Sequence, residues 1–483
     1  MDKEIIILWH YRDLRLADHP ALTAAIAQDV ALVPLYIEDP EAAGNWRTGL
    51  ASCWWLYHAL EELATSYRDQ LGCRLLLRRG DAEAVWTALL QEMKGRGVSL
   101  RAVYWVERYE PSLRCRDEKL QSRLEAEGVA VRRFLGNYLL SPDQLFTKQG
   151  NVYRLFTPFY KALSADWPSQ VARPSPSPKR ERLQAVSLPE GSLAQLELLS
   201  PSAIAETERF SHSWKPTRSA GLALLESLAE EKLATYEAAR DFCGQEGTSR
   251  LSPYLHFGQL SIRELFWRLW NKPTASPFLR QLVWREFANY LLYHFPHFAE
   301  NNWRPLFDQF PWTQQSPLLE AWQRGQTGYP LVDAGMRQLQ QTGWLHNRVR
   351  MVCSSFLVKH LLIDWRAGAR WFWETLVDAD LANNSLGWQW VAGSGPDAAP
   401  YFRIFHPTRQ SEKFDPEGIY LRRYLPELAQ LPNRWIHEPA AAPPQLLEGA
   451  GVLLGQNYPY PIVHHPMARE RALAAYYHLS KLA

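Results

Sequence analysis

The chain has 483 residues, 46% of them apolar, with 53 Lys and Arg against 51 Asp and Glu. That length exceeds one ordinary core and predicts two domains, and that apolar fraction excludes a disordered chain. The formal net charge of +2 does not announce a nucleic-acid binder, although a basic groove can sit inside a neutral total. Five scattered cysteines without a C-x-x-C pair argue against a disulfide framework or a zinc site, and no metal is expected. The opening "MDKEIIILWH" carries early charge and too short an apolar run for a signal peptide, and no apolar stretch is long enough to span a bilayer. A soluble cytoplasmic protein is expected.

In chain order, "EIIILW" (4–9) reads as a buried first strand. "ALVPLYIED" (31–39), "CRLLLRRGD" (73–81), "RAVYWVERYEP" (101–111) and "VAVRRFLG" (129–136) read as further strands. Helical patterns lie between them, as in "ASCWWLYHALEELATSYRDQL" (51–71) and "RCRDEKLQSRLEAEG" (114–128). This alternation predicts an α/β domain with a doubly wound parallel sheet over residues 1–135, and no G-x-G-x-x-G follows its first strand. Residues 136–217 read as an interdomain linker, because "SADWPSQVARPSPSPKRERLQAVSLPEGS" (164–192) is rich in Pro, Ser and charge. From 218 to 483 an all-α domain is predicted, with helices in 219–242, 276–296 and 347–365.

Four stretches carry chemistry. "EGTSRLSP" (246–253) offers hydroxyls and turn amides to an anion before a helix, or is a plain Ser helix cap. In "WLHNRVRMVCSSF" (344–356), helical spacing puts Asn347, Arg350 and Met351 on one face, with Arg350 poised for Asp378 or Asp380; a structural Arg–Asp clasp is the alternative. "DADLANNSLGWQW" (378–390) aligns Asp380, Asn384 and Trp388, a set able to meet a heterocycle edge and to pass an electron, or else to cap a helix over core Trp. "PYFRIFHPTRQSEKFDPEG" (400–418) alternates Arg403, Arg409 and Lys413 with Tyr401, Phe402 and Phe405, which suits a nucleic-acid backbone with exposed bases or forms a solvated basic loop. Trp occurs 21 times; most belong in cores, and some can stack on flat rings or carry electrons.

Taken together, "WHYRDLRLADHPAL" (9–22), "EGTSRLSPYLHFGQLS", "VWREF", "TGYPLVDAGMRQLQQTGWLHNRVRM", "DADLANNSLGWQW", "APYFRIFHP" and "NYPYPIVHH" (457–465) resemble the DNA photolyase and cryptochrome family over nearly the full length. The resemblance implies an N-terminal antenna domain and a helical domain holding FAD in a U shape. It implies that Tyr236, Thr248, Ser249, Leu251 and Ser252 hold the FAD phosphates. Phe278, Gln281, Asn347, Arg350, Asp378, Asp380 and Asn384 complete the cofactor site, with Arg350 paired to Asp378 and Asn384 facing flavin N5. Trp388, Trp365 and Trp312 match the family's electron-transfer chain. Gln281, Trp284, Asn347, Arg348, Met351, Trp390 and Arg403 fall at positions that contact DNA and a flipped-out lesion.

The implied activity is light-driven repair of cyclobutane pyrimidine dimers in UV-damaged DNA by a monomer without an obligate protein partner. Asn384 argues against a plant-type photoreceptor, which places Asp there. Gln281 stands where dimer-repairing enzymes usually carry Glu and resembles the six-four photolyases. The two histidines those enzymes need are replaced by Asn347 and Met351, and proton transfer to a six-four lesion requires an acid. Phe278 replaces a common pocket-wall Trp. The C-terminal region is closer to the bacterial class related to plant cryptochromes. A cryptochrome-type photoreceptor and a flavoprotein that only shuttles electrons are the alternatives. A second, antenna chromophore, folate or deazaflavin, is expected in the N-terminal domain, with Trp9, Glu107 and Glu110 as wall residues. The usual folate-contact positions, near Ser112 and Leu113, do not match.

Overall fold

The structure is a computed structural model that describes residues 3–178, 188–313 and 317–481. Part of the expected linker (179–187) and the last two residues lie outside the described residues. Two compact units emerge: one comprises Met1–Glu231 with Ser249–Pro296, the other Lys232–Thr248 with His297–Ala483. Among the described residues no helix is long and apolar enough to cross a membrane.

The first unit is built on a five-stranded sheet in the order β3-β2-β1-β4-β5. Its strands are β1 (Lys3–His10), β2 (Ala31–Glu38), β3 (Leu76–Arg79), β4 (Val98–Val106) and β5 (Ala130–Phe134), all paired in parallel. β1 is central because it is apolar on both faces: Ile5, Ile6, Ile7 and Leu8 are buried. It registers Ile5 against Ala31 and Ile7 against Val33 on one side and Ile6 against Ala102 on the other. Helices α1 (Pro20–Ile26), α2 (Leu50–Ser66), α3 (Ala82–Gly95) and α4 (Pro111–Ala126) make the crossovers. This is the doubly wound α/β fold expected. The third strand is shorter than the sequence run, since only four residues pair with β2.

The same unit includes α5 (Phe156–Ser164), α6 (Arg218–Ser227) and α7 (Ser276–His294). α7 is stapled to the segment after β5 by polar groups. Leu139 N–H donates to the buried Glu286 carboxylate at 2.9 Å, and Arg285 Nη1 donates to the Asn137 carbonyl at 2.6 Å. Burial pushes Glu286 up to about 7.

The second unit is helical. It contains α8 (Pro330–Thr342), α9 (Asn347–Ser355), α10 (Trp365–Thr375), α11 (Leu381–Ala392), α12 (Pro407–Phe414) and α13 (His465–Ser480). Two glycines allow close approaches between these helices. A Cβ on Gly335 of α8 would lie 2.5 Å from Val349 of α9, and one on Gly368 of α10 would lie 2.1 Å from the Trp388 ring of α11. The buried Asp333 accepts from Thr327 N–H and O–H, Gly328 N–H and Tyr458 O–H, which ties the C-terminal segment to the start of α8.

Two expected helices are interrupted. The 219–242 pattern gives α6, a widened turn over Leu228–Lys232 and a short turn at Tyr236–Ala239. The 347–365 pattern gives α9, a widened turn over Phe356–His360 and a new start at Trp365. Apolar spacing continues across both breaks, so periodicity alone does not reveal them.

Candidate functional site

In the second unit, His346 caps α9 by accepting from Arg348 N–H at 3.2 Å. Desolvation pulls His346 down to about 4. One turn of α9 then brings Asn347 and Met351 together, with Asn347 Nδ2 3.8 Å from Met351 Sδ. Arg350 Nη2 lies 3.8 Å from Asp378 Oδ1, an ion pair too long for a hydrogen bond. Arg350 Nε and Asp378 Oδ1 are both buried without a hydrogen-bond partner among the described residues. Arg348 is already engaged: it meets Asp241 at 2.7 Å and stacks over Phe414 at 4.3 Å.

α11 starts where Asp380 accepts from the backbone and side-chain amides of Asn383, at 2.9 and 2.7 Å. Asp380 is thus a helix cap, the plain reading of that residue. Asn384 is buried, and its Nδ2 donates to the Ala369 carbonyl at 2.9 Å. With the donor end fixed, its carbonyl oxygen is the end left to accept. One turn on, a Cβ on Gly387 would meet nothing within 4 Å beyond its chain neighbours and the backbone of its own helix. A guanidinium with an unused N–H, a carboxylate and an outward amide carbonyl fit the polar edge of a planar heterocycle.

The three expected electron carriers all lie in this unit. Trp388 is buried against Phe372 (4.9 Å) and Trp322 (6.2 Å) and rests on Gly368. Trp365 opens α10, the helix packed beside α11, and donates its indole N–H to Asn302 at 2.9 Å. Thr313 N–H donates to the Leu362 carbonyl at 2.7 Å within a short parallel bridge, Thr313 to Ile363. That bridge brings Trp312 alongside the chain entering α10. Trp312 packs on Phe310 at 4.3 Å.

The basic stretch is more divided than its alternation suggests. Phe402 and Arg403 are exposed, as are Arg409 and Lys413. Tyr401 is a core residue stacked on Tyr476 at 4.7 Å, which corrects its placement on the cationic surface. Trp390 is half-buried on α11. The chain just before Thr248 crosses the end of the short turn that Tyr236 opens: a Cβ on Gly247 would lie 2.6 Å from the Ala239 carbonyl oxygen.

In the first unit, Ser249 Oγ accepts from Leu251 N–H at 3.4 Å beside Arg250 in a left-handed conformation. Leu251, not a serine, caps the helix Ser252–His256, which has only five residues. Its dipole adds little, so the turn amides and hydroxyls are what this stretch offers an anion. Phe278, Gln281 and Trp284 wind along one side of α7. Gln281 Nε2 donates back to the Pro277 carbonyl at 3.2 Å, which leaves its carbonyl end outward.

Two further features of this unit have no sequence signature. A small cavity at the C-terminal ends of β1 and β2 is lined by Trp9, Tyr11, Glu38, Arg108 and Arg116, among others. Arg108 lies over Trp9 at 4.0 Å, and Arg12 bridges to Glu110 at 2.7 Å beside the cavity. Of the residues expected around an antenna chromophore, Trp9 lies in this lining and Glu107 and Glu110 lie outside it. The second feature is a buried cluster of His10, Asp13 and His19, whose ligand-type atoms lie within 4.8 Å of one another. His19 Nδ1 accepts from Leu22 N–H, so its Nε2 carries the proton it shares with Asp13 at 2.7 Å. A metal at that Nε2 would have to displace a hydrogen bond already made, so the cluster reads as a hydrogen-bonded brace.

A family model described as DNA photolyase matches residues 6–179, and one described as the FAD binding domain of DNA photolyase matches 278–478. A deoxyribodipyrimidine photo-lyase of Agrobacterium fabrum is 44% identical over 485 residues, covering 98% of this chain and 97% of that protein. Cryptochrome-1 of Arabidopsis thaliana is 36% identical over 482 residues, covering 96% of this chain and 69% of that protein. A bacterial class III photolyase from Agrobacterium tumefaciens superposes with a TM-score of 0.93 at 42% identity, covering 100% of this chain and 98% of that one. An archaeal photolyase from Sulfolobus tokodaii, solved with two FAD molecules, gives a TM-score of 0.82 at 31% identity, covering 98% of this chain and 100% of that one.

Proposed function

Because this chain belongs to the DNA photolyase and cryptochrome family, we propose that it is a light-driven lyase that splits cyclobutane pyrimidine dimers in UV-damaged DNA. The observation that carries this reading is Asn384, buried on α11 with its amide N–H locked to Ala369 and its carbonyl left to accept. Bound FAD supplies the absorption of blue light and the electron for repair. Arg350, Asp378, Asp380, Asn384 and Asn347 hold its ring; Arg350 and Asp378 bring the unpartnered buried atoms such a group satisfies. Tyr236 and Thr248, with Ser249, Leu251 and Ser252, meet its phosphates, and Phe278 and Gln281 line its surroundings. Trp312, Trp365 and Trp388 carry electrons inward from the surface.

Trp284, Trp390, Gln281, Asn347, Arg348 and Met351 receive the flipped lesion, and Arg403 meets the DNA backbone. Asn347 and Met351 supply no acid, which favours the cyclobutane dimer over the six-four product. A second chromophore of the folate or deazaflavin class occupies the first unit, with Trp9 in its wall. The protein works as a cytoplasmic monomer without an obligate protein partner. The test is blue-light repair by the reduced protein of duplexes carrying either a cyclobutane thymine dimer or a six-four product. Restoration of the dimer alone supports the proposal. Restoration of neither, with a photoreducible flavin bound, would replace it by a photoreceptor reading.

Gln281 uses one of its two amide N–H groups on Pro277 and, being an amide rather than a carboxyl, has no acidic proton to give. Gln281→Glu is therefore expected to raise the quantum yield of dimer repair, by giving the site a carboxyl able to donate. Measuring yield per absorbed photon at saturating substrate checks this, and an unchanged or lower yield refutes it.

A further inference from the structure

Trp284 is half-buried on α7, and Phe156, at the start of α5, lies flat against one face of its indole. The ring centroids are 3.6 Å apart and the planes differ by 2°. That separation is close to the contact distance of stacked carbon atoms, so the rings overlap almost fully. Such a sandwich is the arrangement aromatic quadrupoles favour least. The surroundings impose it. Phe156 is 1% exposed. Phe159, one turn along α5, packs on Phe287 at 5.1 Å and Tyr290 at 4.9 Å. Phe287 meets both Phe156 and Trp284 edge-on, at 5.9 and 6.0 Å. Arg280, one turn before Trp284, holds its guanidinium 5.1 Å from the Phe156 and Tyr160 rings.

We propose that Phe156 is a positioning residue for lesion recognition: it fixes the Trp284 ring so that the opposite face is presented, already oriented, to the flat faces of a pyrimidine dimer. The inference rests on the reading of Trp284 as a lesion contact. With one face covered and one edge held, the indole has little freedom left to lose when the dimer stacks on it. Without Phe156 the ring must be ordered at the moment of binding, and the covered face must also be dried.

The test is binding in the dark by the FAD-containing protein, to a duplex with one thymine dimer and to the same duplex undamaged. Phe156→Leu is expected to weaken dimer binding by about threefold to tenfold, the ordering cost of one side chain. Binding to undamaged DNA should not change, and Phe156→Tyr should restore the dimer affinity. In a Trp284→Ala background, Phe156→Leu should have no further effect. Retained dimer affinity in Phe156→Leu, or a loss that persists without Trp284, overturns the proposal. If Phe156→Leu fails to retain FAD, Phe156→Met takes its place in the same cycle. If Trp284→Ala itself leaves the preference for damaged DNA intact, the reading of Trp284 falls first, a distinct outcome.

Discussion

Replacing Trp388 by Phe should abolish light-driven reduction of the bound flavin while leaving dimer repair by chemically reduced protein near the wild-type level. The substitution is well placed to separate the two. The indole N–H of Trp388 has no acceptor among the described residues, so Phe strands no partner. Trp365→Phe would be less clean, because it leaves the Asn302 carbonyl without its donor, a penalty of about 1–3 kcal/mol. A second variant tests the position of the ring rather than its identity. A Cβ at residue 368 would sit 2.1 Å from Trp388 Cη2, so Gly368→Ala must push the indole away, at about 1–3 kcal/mol of stability. It should slow photoreduction with every carrier still present. Absorbance under blue light with an external reductant, followed by a repair assay after chemical reduction, reads both properties. Wild-type photoreduction in Trp388→Phe would assign the pathway elsewhere.

The second large effect expected is acid destabilisation between pH 6.5 and pH 4.5. Burial lowers His19 and His346 to about 4 and His360 to about 3, from 6.5. Each is neutral in the folded state where the unfolded chain would protonate it. Their contribution is therefore complete above pH 6.5 and is lost as pH falls toward 4 and 3. His360 has an added constraint. Its Nε2 lies 2.8 Å from His465 Nδ1, and one ring must stay neutral to accept. Glu286 works in the opposite sense: its carboxyl, raised to about 7 from 4.5, favours the fold as pH falls through that range. Three histidines against one carboxyl leave a loss of about 5 kcal/mol from pH 7 to pH 4.5. His465, lowered to about 4 as well, adds to it, and the raised carboxyls of Glu38, Glu62, Glu107, Asp333, Glu374 and Asp415 offset part. The sharper measurement is a difference. His19→Asn should remove close to one proton from the linkage, flattening stability against pH by about 1.4 kcal/mol per pH unit near pH 5.5. Equal slopes in urea unfolding of the two proteins would show that His19 does not titrate as its burial demands.

The sequence made some of this legible and hid the rest for physical reasons. β1 was readable because a β-branched run buried on both faces has few other homes. Helix α11 and its alignment of Asp380, Asn384 and Trp388 followed from spacing; complementary charge left Arg350 a choice of Asp378 or Asp380, and the family resemblance named Asp378. What pairs across long separations was not readable. Nothing local links Asn384 to Ala369, Trp365 to Asn302, or Trp284 to Phe156. Tyr401 was misassigned because a core aromatic and a surface one look alike when cations flank both. The pairing of Arg348 with Asp241, a residue more than a hundred positions away, has no local signature either.

The chain crosses between its two units three times, since 232–248 belongs to the second unit and 249–296 returns to the first. Synthesis runs from one end, so the first unit cannot close when its sheet is complete. When residue 231 leaves the ribosome, Glu286 and Arg285 do not yet exist, and Leu139 and Asn137 lack the groups that hold them. That segment must wait for α7 to be made. A fragment ending at residue 231 thus lacks the part of its own unit that residues 249–296 supply.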